Sequence, residues 1–213
     1  MKTGIKIPMY ITVQLENGDK RVWLPLPATI TQFQTSVEKI DGQDGNFTIR
    51  DYAMKVPKLS KADLMGVSLA LVNFLAARLM KLNDYEILKL CAISDSEYYF
   101  CDIENYIDYT FQPGKYKLLQ GVTDEEKLGD YYIRRPGLFF GGAKQKRCID
   151  RREYGQRLAE TEKGAFTPHG YITSRIGWNL LPKQRHIPDS LNIKGCIGEN
   201  LYGDWEAESA SYK

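Results

Sequence analysis

Carboxylates dominate one stretch of this 213-residue chain. Asp84, Glu86, Asp95, Glu97, Asp102, Glu104 and Asp108 fall between positions 84 and 108 with Lys89 as the only base, a local net charge of −6. Asp124, Glu125, Glu126 and Asp130 follow. Carboxylates this dense can serve acid–base catalysis, but nothing singles out one pair for that work. They can also meet a cationic protein surface as phosphates do. The sign reverses over residues 134–157. There Arg134, Arg135, Lys144, Lys146, Arg147, Arg151, Arg152 and Arg157 face only Asp150 and Glu153, a local net charge of +6. A basic run of this kind fits nucleic acid. The plainer reading is that both runs are solvated faces, or that they pair with each other across a dimer.

Other chemistry is sparse. Cys91, Cys101, Cys148 and Cys196 have no zinc-knuckle or redox spacing, so four free and mostly buried thiols are expected. His169 and His186 are too far apart in sequence to suggest a metal cluster, and no metal or cofactor is expected. Gly141-Gly142 is not followed by the Lys-Ser/Thr of a phosphate loop. Neither a serine elbow nor a His–Glu helix motif is present, so the expectation is a protein that is not an enzyme. Tyr98-Tyr99-Phe100, Tyr106, Tyr109 and Phe111 lie among acids that repel phosphates, and read as packing residues.

The elements that position these residues follow from periodicity. Hydrophobic residues at 43% and charged residues at 26% suit a soluble globular chain. No apolar run approaches the ~20 residues of a membrane span. The first residues lack the continuous apolar core of a signal peptide, so a cytoplasmic protein is expected. Met9, Ile11, Val13 and Leu15 alternate as in a strand, Asn17-Gly18 is a hairpin turn, and Val22, Leu24 and Leu26 return, with Pro25 and Pro27 ending that strand. Thr29 and Gln32 suit a capping box before a helix carrying Ile30, Phe33, Val37 and Ile40. Phe47–Asp51 reads as a third strand. Ser60 with Asp63 opens a helix whose apolar face runs from Leu64 to Leu82; Asn83 with Glu86 opens the next, and Asp102–Asp108 is a short third. Tyr116–Gln120 reads as a strand, Thr123 with Glu126 as the cap of a helix to Ile133, and Asp150–Lys163 as a helix ended by Gly164. Phe166–Ile172, interrupted by Pro168 and Gly170, reads as a turn or bulge between short strands, and the chain beyond Ser174 as irregular.

In this order the segments resemble the ArdA antirestriction family of conjugative elements. The likeness is carried by Leu24-Pro25-Leu26-Pro27-Ala28-Thr29, by Phe47-Thr48-Ile49-Arg50-Asp51-Tyr52, and by Val72-Asn73-Phe74-Leu75-Ala76-Ala77-Arg78-Leu79. Its most specific part is Asp150 to Leu158, with Tyr154, Gly155 and Arg157, followed by Gly164, Phe166 and Gly170-Tyr171. Thr123 to Glu126, Leu128-Gly129 and Tyr132 fit the central stretch. The resemblance implies an elongated α+β chain of three small domains, usually a homodimer. They would be a β-rich domain with one helix at 1–60, an acidic helical domain at 61–110 and a mixed domain at 111–175, before an irregular extension at 176–213. It also implies a non-enzymatic inhibitor that mimics DNA and occupies the groove of the type I restriction–modification methyltransferase core. The eleven acids between Asp84 and Asp130 would then be the phosphate mimics. The net charge of +2 and the bases Arg151, Arg152 and Arg157 depart from the family pattern. Mimicry is therefore expected over residues 84–130, with the basic region making its own contact. Two alternatives stand beside this: the same fold acting on another defence nuclease such as a CRISPR effector, or a mobile-element regulator that binds DNA through residues 134–157.

Overall fold

A computed structural model describes residues 11–42, 47–54, 66–96, 102–135, 148–174 and 186–195. The chain is mixed α+β, with two three-stranded antiparallel sheets and six helices among these residues. It divides into two units where three small domains and a tail are expected from sequence. Unit 1 takes residues 1–81, 101–107 and 183–213; unit 2 takes 82–100 and 108–182.

Unit 1 is built on β1 (Ile11–Asn17), β2 (Lys20–Leu26) and β3 (Thr48–Met54), in the order β2-β1-β3. Asn17 pairs with Lys20 across a two-residue turn in which Gly18 has φ 57°, as the hairpin signal requires. Pro25 does not end β2; it lies inside it, opposite Thr12. Hydrogen-bonded and non-hydrogen-bonded pairs alternate from the turn, so the Thr12–Pro25 pair needs no ladder donor from the proline, and β2 is an edge strand. Ile11, Val13, Leu15, Leu24 and Leu26 are buried. Helix α1 (Ile30–Lys39) packs along β2, and its Thr29–Gln32 capping box forms as the sequence implies. Phe33 turns inward onto the Phe47 ring, 5.6 Å away, whereas Ile30, at the first helical position, is 39% exposed.

Helix α2 (Leu69–Leu79) begins at Ser68, whose side chain accepts from Leu71 N–H. Gly66 and Val67 are not helical, so the apolar face expected from Leu64 starts later; Ser60 and Asp63 lie outside the described residues. Asn73 explains why α2 belongs to unit 1 rather than to a separate middle domain. Its fully buried amide accepts from Ala28 N–H at 2.7 Å and donates to the Ala28 carbonyl at 2.8 Å and the Leu191 carbonyl at 2.9 Å. Residues 186–195 are irregular apart from a 3-10 turn at Asp189–Leu191, yet Ile193 is buried and the Gly195 carbonyl accepts from Leu69 N–H. This part of the expected extension is therefore packed structure of unit 1.

In unit 2, β4 (Tyr116–Leu119), β5 (Ala165–Thr167) and β6 (Gly170–Ser174) form a sheet in the order β4-β6-β5. Successive side chains of β4 face opposite ways. On one face, Tyr116 meets Tyr109 of α4 (Ile103–Phe111), with ring centroids 5.8 Å apart, and α3 (Asp84–Ser94) packs on β4 and β6. On the other face, Leu119 and Tyr171 join Leu128 and Tyr132 of α5 (Glu125–Arg134), with Tyr154 and Leu158 of α6 (Arg151–Glu162) against them. Helix α4 contributes residues 103–107 to unit 1 and 108–111 to unit 2.

Candidate functional site

The acids divide by what they do locally. Asn83 and Glu86 form a capping box at the start of α3, with Asp84 exposed beside them. Asp124, not Thr123, caps α5: its carboxylate accepts from Lys127 N–H at 2.8 Å and lies 2.8 Å from Lys127 Nζ. The Lys127 side-chain bond, then the backbone bond, hold the Asp124 carboxyl below its ordinary value. Glu125 and Glu126 follow in the first turn, where the helix dipole favours negative charge. Asp102 accepts from Asn105 N–H at the start of α4, and Asp150 caps α6 by accepting from Glu153 N–H.

Two of these helix starts are tied to one end of β4. Tyr85, the second residue of α3, donates its hydroxyl to the Leu118 carbonyl at 2.8 Å. The turn leading to α5 is closed by Val122 N–H on the Leu119 carbonyl. Asp84 and Glu86 on one helix, and Asp124, Glu125 and Glu126 on another, are thus tied to the C-terminal end of β4. Tyr109 reinforces this by donating its hydroxyl to the Glu86 carbonyl at 2.6 Å.

Other members of the acidic set stand elsewhere. Asp108 is 2% exposed, so it is no surface carboxylate. Asp130 lies between two guanidinium groups, 2.6 Å from Arg134 Nη2 and 3.1 Å from Arg151 Nε. Asp95 faces His169 Nε2 at 3.2 Å. Asp102 and Glu104 fall in unit 1. Glu97 lies outside the described residues, as do Lys144, Lys146 and Arg147.

The signature segment has a packing role that its spacing does not announce. Helices α5 and α6 cross at Gly129 and Gly155. A Cβ on Gly155 would overlap the Glu125 carbonyl, and one on Gly129 would overlap that of Arg151. Tyr132 donates to the Glu162 carboxylate at the end of α6. Burial foremost, then Glu162, pushes the Tyr132 and Tyr171 hydroxyls above their ordinary range. Tyr154 packs against the core cluster, while Arg157 pairs with Glu153 one turn back on α6.

The crossing brings the two charge runs together. Arg151 meets Asp130, and a cleft of ≈ 400 Å³ at the start of α6 is lined by Glu126, Ile149, Asp150, Arg151 and Arg152. At the far end of α5, Arg135 stacks 4.4 Å from the Tyr131 ring centroid, and Lys117 Nζ of β4 lies 5.8 Å from it. Lys117 has no place in the basic run; only strand pairing puts it there. Of the thiols, Cys91 is half-buried and Cys148 exposed, which corrects the expectation of burial for Cys148; Cys101 and Cys196 lie outside the described residues.

Comparison with protein-family models and with curated proteins finds no match to this chain. Among the described residues no helix is long and apolar enough to cross a membrane, and no group of His, Cys, Asp and Glu is arranged to hold a metal ion.

Proposed function

We propose that this protein is a non-enzymatic inhibitor of the ArdA kind, which enters the DNA groove of a type I restriction–modification complex with carboxylates standing in for phosphates. One observation carries the reading: Asp84 and Glu86 of α3 and Asp124, Glu125 and Glu126 of α5 are held at the same end of β4. Caps fix the helix starts that bear them, so little order remains to be imposed on binding, and a cationic groove meets a preformed array. The resemblance of residues 9–173 to that family supports the same reading. The mimic is smaller than the sequence run implies, because Asp108 is buried and Asp130 is neutralised by its arginines.

The test is a competition titration. The protein is added to a type I methyltransferase holding labelled duplex DNA, beside a control with duplex alone. Displacement of the duplex is expected, and charge reversal at Asp84 and Glu126 weakens it about tenfold or more, the effect of like charges placed opposite each other. Displacement insensitive to those reversals, or none at all, overturns the reading.

A further inference from the structure

We infer that the C-terminal end of α5 is a second interaction surface, a contact for single-stranded nucleic acid formed by Lys117, Tyr131, Arg134, Arg135 and Arg151. These residues come from β4, α5 and α6, and the fold assembles them. Asp130 holds Arg134 and Arg151 on one carboxylate, while Tyr131 holds Arg135 and Lys117 on one ring. Four cations against one carboxylate leave an excess of positive charge, and the arginines are open to solvent, with the Arg134 side chain 72% and that of Arg151 48% exposed. Glu126, Asp150 and Arg152 line the neighbouring cleft and together subtract one charge, which leaves the excess positive.

The acids at the other end of α5 reach Arg151, which shares a cleft with Glu126, but not the arginines at its C-terminus. Glu125 and Arg134 are nine residues apart on one helix, ~14 Å at the α-helical rise. That exceeds the ~8 Å over which exposed charges are screened at physiological salt. Opposite ends of α5 can therefore face opposite partners.

The presence of Tyr131 decides between strands. A duplex offers phosphates and keeps its bases stacked inside. A single strand also offers free base faces, which settle on aromatic rings and on guanidinium planes resting on them. An aromatic ring carrying two cations matches that combination, and a bare cluster of lysines does not.

The experiment measures fluorescence anisotropy of a labelled single-stranded oligothymidylate with the full chain. A duplex of equal length and a polyglutamate competitor form the other arms. Binding is expected at low salt, with affinity falling roughly 20-fold between about 50 and 200 mM salt if about three phosphates are engaged. The double variant R134A/R135A is expected to weaken binding about tenfold and flatten the salt dependence. Tyr131→Leu should lower single-strand affinity while leaving the duplex arm unchanged. Absence of binding at low salt overturns the inference, as does equal affinity for duplex, indifference to R134A/R135A, or displacement by polyglutamate better than by unlabelled oligonucleotide. No methyltransferase is present, so this result and that of the competition titration fail independently.

Discussion

Gly155 of α6 lies directly against the carbonyl oxygen of Glu125 in α5, with no room for a β-carbon. Reciprocally, Gly129 lies against the carbonyl of Arg151. This crossing sets the distance between the helix that carries the acids and the helix that opens with Arg151 and Arg152. A wider crossing would pull Arg151 from Asp130 and change both ends of α5 together.

Gly155→Ala therefore tests the crossing with a sign that helix propensity alone would get wrong. In a solvent-facing helix interior, alanine is better than glycine by ~1 kcal/mol. Here the added methyl forces the backbones apart, and overpacking costs about 1–3 kcal/mol. Urea denaturation should show net destabilisation; a more stable variant would mean that the helices do not approach this closely.

Asn73 gives a second prediction. Replacement by leucine leaves the Ala28 N–H and the Ala28 and Leu191 carbonyls without their buried partner. Each orphaned polar group costs about 1–3 kcal/mol, so the loss should reach several kcal/mol. Hydrogen exchange at Leu69, whose N–H donates to the Gly195 carbonyl, should accelerate at the same time. Unchanged exchange would show that residues 186–195 are held without Asn73.

Asp130→Asn separates stability from binding. The carboxylate is 23% exposed and its arginines more so, hence the cost to folding should stay within ~1 kcal/mol. Removing the negative charge should raise affinity for the single-stranded oligonucleotide, opposite in sign to R134A/R135A. A fall in affinity, with folding intact by circular dichroism, would show that Asp130 orients Arg134 and Arg151 more than it neutralises them.

The tyrosines predict an alkaline limit. Burial foremost pushes Tyr109, Tyr116, Tyr132 and Tyr171 above the ordinary value of about 10. A group with a raised folded pKa keeps its proton in the native state while the unfolded chain loses it. Stability is thus undiminished below pH ~10 and falls as pH rises from there toward the folded values. Of the fourteen tyrosines, these four should stay silent in an ultraviolet titration until the chain unfolds. Ionisation of all fourteen in the folded state near pH ~10 would contradict their burial.

Local signals in the sequence determined local structure. The Asn17-Gly18 turn, the Thr29–Gln32 and Asn83–Glu86 capping boxes, the helix that follows Asp150 and the turn about Pro168 all form where residue type and spacing place them, because each depends on atoms within about four positions. The segregation of charge is equally a property of the sequence. What those charges face is not. Asp108 and Asp102 belong to the same acidic run, yet one is buried and the other exposed. Asp130 reads as one more acid until α6 brings Arg151 to it. Lys117 reads as a strand lysine until β4 sets it near Tyr131. Asn73 reaches Leu191 across 118 positions and draws a nominal tail into unit 1. Short-range hydrogen bonds and turn geometry are written in neighbouring residues. Burial, ion pairing and unit membership are set by contacts between distant segments, and only the tertiary structure decides which segments meet.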